Sequence, residues 1–585
     1  MKNLLRAKKS MAFLTSLSLA ITLFTAVPVR GYAADGSNTI TLLATTDVHG
    51  TVLNYDYGTG KAPAKDQGLA KVSSYVKSVR QNNKNVMLID NGDTIQGTPL
   101  SYYYDILDTK TEYPTAKVMG AMKYDSWTLG NHEFNYGLDV LNRVIKDYKS
   151  EGISVLGANI YKKDATNFVD PYIIKSFKVN DKEVKVAVIG LENKCIPSWE
   201  DKKHYDGLQF NDLVDEAKKW VKEVKSKGAD VVIVSAHSGQ ETAADVLPEN
   251  EVNAIATQVS GIDAIIAGHA HTKTNDLTKK NPEGKIVPIV ESTKGATGLA
   301  QVDINIDANG KLSGIATKNV DIDKTIPEDQ EIVSLIKPYE DTTLKYVDTK
   351  IGTSTGEFTG SGQTNNPTAI MELINKVQKE SAGTQLSIAA PLSSSAYIPK
   401  GDITIKNMMS VYVFENFLYG VKMSGKQVKD WMEYSARYYA QTTGGNTTVA
   451  KDSILNVPDY NLDQLYGTTY DIDLTQPACT VDKTTGKVIS GNRIKNLKVN
   501  GIEVKDSDQF TVAINNYRYN GGGGFMKAIG LSSTDPSIVT YDSGKALGDD
   551  GQVRSLMTNY IQKHGEIKPE CSNNWNIVTG NTQKK

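Results

Sequence analysis

The chain has 585 residues, 39% hydrophobic and 23% charged, enough for a large core and for two to four domains. Its net charge of −2, from 65 Lys and Arg against 67 Asp and Glu, excludes the basic excess that drives binding to a nucleic-acid polymer. Three cysteines (Cys195, Cys479 and Cys571) are too few for a disulfide-dependent fold. A Cys479–Cys571 bridge is a candidate pairing in the C-terminal part.

Residues 1–34 read as a secretory signal peptide. Lys2, Arg6, Lys8 and Lys9 form a basic start, Met11 to Val27 is mostly apolar, and Gly31-Tyr32-Ala33-Ala34 supplies small residues for cleavage. The expected location is outside the cytoplasm: extracellular, periplasmic or on the cell wall. No transmembrane segment is expected after cleavage, and no protein partner.

From Thr39 strands and helices alternate, which predicts a layered α/β domain. Ile40 to Thr45 is a strand ending in Asp47-Val48-His49, and Leu69 to Val79 has helical spacing. Asn85 to Ile89 is a strand running into Asp93; Pro114 to Met122 is a helix. Ser126 to Leu129 leads into Gly130-Asn131-His132-Glu133, followed by an amphipathic helix over Leu138 to Tyr148. Ile153 to Leu156 and Val184 to Leu191 are further strands, and Asp212 to Lys225 has helical period. Strands over Asp230 to Ser235 and Ile262 to Ala267 end in His237 and in Gly268-His269-Ala270-His271. Val302 to Asp307 alternates as a half-exposed strand does. Pro327 to Leu344 reads as a connecting helix. In the second domain a helix over Pro367 to Ser381 has Pro at its start, and Ser424 to Gln427 forms a capping box before Val428 to Tyr439. A strand over Gln509 to Ile514 opens into a loop through Asn520 and four glycines, Gly521 to Gly524.

Five strand ends of the first domain therefore carry metal-type side chains: Asp47 with His49, Asp93, Asn131 with His132, His237, and His269 with His271. Five of the chain's seven histidines lie in these loops; His204 and His564 are given no role. Mixed nitrogen and oxygen ligands without thiolate suit Zn, Mn, Fe or Co. Two such ions about 3.5–4 Å apart clamp a phosphate and activate a water. Asp93 is the natural bridging carboxylate, and His132 beside them can carry a proton.

These motifs, Asp-x-His, Gly-Asp, Gly-Asn-His-Glu, a lone His and Gly-His-x-His, resemble those of the calcineurin-like binuclear metallophosphoesterases. The resemblance implies one metal on Asp47, His49, Asp93 and His271, a second on Asp93, Asn131, His237 and His269, and catalytic roles for Asn131 and for His132 at the leaving group. Asn91 to Leu100, Gly130 to Leu138, Asp473 to Ala478, Arg493 to Leu497, Asn515 to Arg518 and Asn573-Asn574-Trp575 extend the likeness to the 5′-nucleotidase superfamily, and within it to the bacterial 2′,3′-cyclic-nucleotide 2′-phosphodiesterase/3′-nucleotidase branch. The fold implied is a metallophosphoesterase domain over 35–326 (a β-sandwich flanked by helices), a connecting helix over 327–350 and an α+β nucleotide-binding domain over 351–580.

The resemblance places the substrate on Phe414, Asn416 and Tyr517, with Tyr519 a rival for Tyr517, and implies two divalent ions with small nucleotide substrates. Three departures from the 5′-nucleotidase pattern favour the 3′ branch. Asn135 stands where an Asp orients the catalytic His. Ile388 to Leu392 lacks an Arg. Gly521-Gly522-Gly523 replaces Gly-Gly-Asp, with room expected at Gly523. The alternatives are a 5′-nucleotidase or nucleotide-sugar hydrolase, and a surface binding protein that keeps the fold without catalysis.

Overall fold

A computed structural model describes residues 38–58, 60, 66–242 and 247–580. The expected signal peptide lies outside the described residues.

The main strands of the first half are β1 (Thr39–Thr45), β2 (Val86–Asp90), β3 (Ser126–Thr128), β4 (Ser154–Leu156), β5 (Tyr172–Val179), β6 (Lys182–Leu191), β7 (Val231–Ala236), β8 (Ala264–Ala267), β9 (Thr274–Lys280), β10 (Ile286–Glu291), β11 (Gly298–Ile306) and β12 (Leu312–Asp321). They form two six-stranded sheets, β12-β11-β1-β2-β3-β4 and β9-β10-β8-β7-β6-β5. The alternation of a strand's side chains decides the layering. Ile40, Leu42 and Ala44 of β1 meet Val186, Val188, Ile233 and Ile266 of the opposite sheet. Leu43 points the other way, into a helical layer with Val72, Val76, Leu141 and Val144. A second helical layer, with Leu213, Ala217, Val221 and Val224, covers the other sheet. Burying each such aliphatic side chain contributes roughly 1.5–3 kcal/mol, so strand register is firmly set and the loops at the strand ends are set with it.

Flanking helices follow their patterns. The helix Gly137–Ser150 buries Leu141, Val144, Ile145 and Tyr148 at helical spacing, and Asp212 caps Leu213–Ser226 by accepting from Val214 N and Asp215 N. β1, β2, β3 and β4 run parallel, as do β6, β7, β8 and β10. The five loops with metal-type side chains therefore leave the same end of the sandwich. Polar side chains stitch the two sheets there: Thr128 Oγ1 donates to Ser235 Oγ (3.0 Å), Ser235 Oγ to Asn91 Oδ1 (2.6 Å), and Asn91 Nδ2 to Ala236 O (3.0 Å).

The helix Gln330–Val347, capped by Asp329, leads to the second half. Its central sheet orders Gln464–Tyr466, Leu386–Ala389, Gln509–Asn515, Leu418–Ser424 and Val539–Asp542. The helices Ala369–Ala382 and Gly425–Ser435 pack beside it. Three expectations are corrected. Pro367 does not occupy the first helical turn; Thr368 caps that helix by accepting from Met371 N, which moves Pro367 outside it. The helix after the Ser424 capping box begins at Gly425. Cys479 and Cys571 are both free, the first buried and the second exposed, so no bridge joins them.

Candidate metal centre and active site

Two acceptor groups meet at the common end of the strands. Ligand atoms of Asp47, His49, Asp93 and His271 lie within 4.8 Å of one another, as do those of Asp93, His237 and His269. Asp93 belongs to both. Asn131 Oδ1 joins the second group, 3.1 Å from His237 Nε2 and 2.8 Å from His269 Nδ1. Among the described residues fourteen non-glycine residues have positive φ, and five of them are Asp47 (51°), His49 (49°), Asp93 (55°), His269 (71°) and His271 (55°). Each such backbone costs of order 1 kcal/mol or more and persists where the surroundings over-determine it, as at functional sites. Gly92 permits the close approach of the loops: a Cβ there would lie 2.7 Å from Gly130 N and 2.8 Å from His237 Nδ1.

The donor set fits divalent cations. His49 Nδ1 faces the carbonyl of Gln96 (2.9 Å) and His237 Nδ1 that of Asn91 (2.7 Å). A carbonyl only accepts, so both Nδ1 atoms carry hydrogen, and each ring when neutral presents a lone pair at Nε2. His49 Nε2 is aimed at His271 Nε2 (3.1 Å), and His237 Nε2 at Asp93 Oδ2 (3.2 Å). His271 Nε2 lies 3.3 Å from Asp47 Oδ1. Acceptors facing acceptors call for positive charge between them, and these separations match the roughly 3.0–3.5 Å edges of a shell with bonds near 2.0–2.2 Å.

Electrostatics agree. Burial, against Asp93, lowers His49 to about 3, which keeps its lone pair free. Burial would also lower His237, but Asp93 and then Asp47 outweigh it and hold the ring well above the imidazole range, so the two carboxylates draw positive charge to this ring, as a proton on Nε2 or as a cation in its place. Burial would raise Asp47 and Asp93; His271 and His237 overcome this for Asp47, and His237 and His132 for Asp93, so both lie below the carboxylate range. The pocket stabilises cations.

His132 sits beside Asp93, which the two groups share, with its ring 5.3 Å from that of His49. Its backbone N donates to Asp93 Oδ1 (2.8 Å), its Nδ1 meets Asn135 Oδ1 (2.7 Å), and its Nε2 is 3.9 Å from Asp93 Oδ2. The ring of Phe414, from the second half of the chain, lies nearly parallel to it, 10° between planes and 6.1 Å between centroids. Residues on both sides of Phe414 are tied to the first half. Gln96 Nε2 donates to Glu415 Oε2 (2.7 Å) and Val413 O (3.2 Å), and Arg554 pairs with Glu415 (2.8 Å). Gln96 thus holds His49 through its carbonyl and the Phe414 segment through its side chain.

Asn416 Nδ2 and Asn515 Nδ2 both donate to Tyr412 Oη (3.3 Å each). Tyr517 is half-buried against the first helical layer, with the Arg518 guanidinium 5.2 Å from its ring. Tyr519 is engaged elsewhere: it stacks on Tyr419 at 4.2 Å and donates to Ser533 O. The segment after Asn515 is not an open loop. Asn515 caps a helical turn, Asn516–Tyr519. The room expected at Gly523 is absent, since a Cβ there would meet Asn461 Oδ1 at 2.8 Å and Arg518 Nη1 at 2.9 Å.

Sequence reasoning missed the residues that support this site. Glu133 accepts four backbone N–H groups. Glu249 Oε2 meets His269 Nε2 at 3.2 Å, and Trp199 stacks on the same imidazole at 5.3 Å. Only Glu133 had a signal, its place in Gly-Asn-His-Glu.

Comparison with known proteins agrees with the geometry. The calcineurin-like phosphoesterase family model matches residues 40–273, and the 5′-nucleotidase C-terminal domain model matches 350–529. Over 92% of its length the chain is 33% identical to the trifunctional nucleotide phosphoesterase protein YfkN of Bacillus subtilis, of which it spans only 39%. It is 31% identical over 92% of its length to the 2′,3′-cyclic-nucleotide 2′-phosphodiesterase/3′-nucleotidase of Salmonella typhimurium, spanning 88% of that protein. The crystal structure of a candidate 5′-nucleotidase from Staphylococcus aureus in complex with alpha-ketoglutarate superposes with a TM-score of 0.76 at 25% identity, over 92% of this chain and 100% of that one.

Proposed function

The chain belongs to the family of the 2′,3′-cyclic-nucleotide 2′-phosphodiesterase/3′-nucleotidases, and we propose that it opens 2′,3′-cyclic nucleotides to 3′-nucleotides and then releases nucleoside and phosphate. Asp47, His49, Asp93 and His271 would hold one divalent ion, and Asp93, Asn131, His237 and His269 a second, zinc, manganese or similar. When bound, such ions hold the phosphoryl oxygens and acidify a water for attack. His132 Nε2 gives the departing ribose oxygen its proton. Phe414 and Tyr517 hold the base by stacking, which tolerates any base because each has a π-face. Asn416 contacts the nucleoside beside Phe414.

The observation that carries this reading is the near-parallel packing of Phe414 on His132 at 6.1 Å. Phe414, tied to the first half through Gln96, stands beside His132, so a base stacked on its ring lies next to the acceptor groups. The 3′ side of the ribose is favoured because Gly521-Gly522-Gly523 offers no carboxylate to bind ribose hydroxyls or repel a phosphate esterified there, and Ile388 to Leu392 offers no Arg. Among the described residues no helix is long and apolar enough to cross a membrane. The basic start and apolar run before Ala34 are the basis for proposing export.

The test follows products by chromatography from 2′,3′-cyclic AMP with metal-loaded protein. Transient 3′-AMP followed by adenosine is expected. Accumulation of 2′-AMP contradicts the assigned bond cleavage. Bound metal with no turnover on this substrate, 3′-AMP or 5′-AMP returns the protein to the non-catalytic binding class.

A further inference from the structure

The family pattern puts an Asp three residues after the catalytic His, and this chain has Asn135 there. The structure supplies a carboxylate one residue further out. Asn135 Nδ2 donates to Glu200 Oε1 at 2.7 Å while Asn135 Oδ1 faces His132 Nδ1 at 2.7 Å. The other oxygen of Glu200 meets His204 Nδ1 at 2.8 Å. Glu200 and His204 are buried, at 8% and 7% exposure, so water does not compete freely for this chain of contacts. We propose that Glu200 is a positioning residue for His132, acting through Asn135.

Hydrogen-bond polarity sets the direction of this chain of contacts. A carboxylate only accepts, so the amide NH₂ of Asn135 must face Glu200. Its oxygen must then face His132, and an oxygen there requires hydrogen on Nδ1. Glu200 therefore fixes which imidazole nitrogen points at the reacting atoms, namely Nε2, together with the plane of the ring. An amide at position 200 loses this control, because it can donate as well as accept and leaves Asn135 free to turn over.

Glu200 is itself anchored. Its backbone N donates to Ile196 O (2.9 Å). Its neighbours hold the second half of the chain: Asp201 accepts from Asn520 Nδ2 (3.1 Å) and Tyr419 Oη (3.4 Å), Lys203 Nζ lies 4.1 Å from the Phe417 ring centroid, and the His204 ring is 6.1 Å from it. The relay that orients His132 is thus built on the segment that also grips the nucleoside-binding half. His204, given no role by sequence, fixes the outer end of the relay.

The inference rests on the proposed role of His132 at the leaving group, and the experiment separates the two. Full-length, metal-loaded His132→Ala, Glu200→Gln, and Glu200→Gln with Asn135→Asp are compared on 3′-AMP, whose ribose oxygen leaves poorly, and on p-nitrophenyl phosphate, whose phenolate leaves without a proton. Glu200→Gln should lower kcat on 3′-AMP about 10–100-fold with KM held, the size usual for an orienting partner, and lower p-nitrophenyl phosphate turnover far less. Adding Asn135→Asp puts a carboxylate directly on Nδ1 and should restore 3′-AMP turnover to within about threefold of the parent, a coupling that only neighbours acting in one chain display. Unchanged 3′-AMP turnover in Glu200→Gln, beside a damaged His132→Ala, overturns the relay. Equal loss on both substrates, or no rescue, makes Glu200 a residue of the fold alone and also overturns it. An undamaged His132→Ala refutes the role of His132 itself. If Glu200→Gln does not fold, Glu200→Asp, which keeps the carboxylate but withdraws it from Asn135, takes its place with and without Asn135→Asp and is read the same way.

Discussion

Glu133→Gln tests how the site is held. The Glu133 carboxylate is buried and accepts four backbone N–H groups: Asp93 N (2.9 Å) and Gly130 N (2.5 Å) on Oε2, Thr94 N (2.6 Å) and Ile95 N (3.2 Å) on Oε1. It ties the loop that bears Asp93 to the loop that bears Asn131. Glutamine has the same shape but turns one oxygen into an NH₂ that faces two donors. Two buried N–H groups then lose their acceptor, at about 1–3 kcal/mol each. The other two exchange charged bonds for neutral ones of roughly half the strength. Part of this is returned, because burial and the Asp93 charge already push Glu133 up, against the Thr94 N–H. The net expectation is about 2–5 kcal/mol lost from the first domain, with weaker metal retention. Denaturant unfolding of the stripped protein and metal analysis after dialysis measure both. A variant within about 1 kcal/mol of the parent that keeps its metals would refute the reasoning.

Asp93→Ala should lose both ions and turnover together, whereas His132→Ala should keep the metals and lose about 10²–10⁴-fold in rate; metal analysis showing the reverse exchanges their roles. Removing Phe414 or Tyr517 should cost about 1–3 kcal/mol on nucleotides and spare bis-p-nitrophenyl phosphate; equal losses mean that the rings hold the fold. Burial, opposed by the Tyr57 hydroxyl, raises Glu340 from 4.5 to about 7. Between those values the folded state keeps a proton that the unfolded state has lost, so stability falls as pH rises through that window. Glu340→Gln should therefore gain up to about 3 kcal/mol on the parent at pH 8 relative to pH 5, and parallel unfolding curves at the two pH values would contradict this.

The strands and ligand loops were legible because each is an apolar run that stops at Asp, Asn or His, a contrast that survives without coordinates. The supporting residues were not. Gln96, Glu200 and Glu249 read as ordinary polar residues, and for the first two the partners lie far along the chain: Glu415 is 319 positions from Gln96, and Asn135 is 65 from Glu200. The left-handed backbone of Asp47, His49, Asp93, His269 and His271 has no sequence signature, since glycine is the residue that normally marks it. Cys479 and Cys571 share the C-terminal part of the chain, but position along the chain says nothing of burial, and one is buried while the other is exposed. Gly523 reads in the sequence as open space, but the place of its missing side chain is filled by Asn461 and Arg518. Only the absent carboxylate remains of that argument.

That absence bears on the central claim, that the phosphate is taken from the 3′ side of the ribose. In the proposed pose, with the base between Phe414 and Tyr517, a 3′- and a 5′-phosphate need opposite sugar orientations to reach Asp93 and His132. The most direct measurement is steady-state kcat/KM for 3′-AMP and 5′-AMP in one metal buffer. The account predicts at least about tenfold preference for 3′-AMP, roughly 1.4 kcal/mol in transition-state binding; an equal or higher value for 5′-AMP would contradict it.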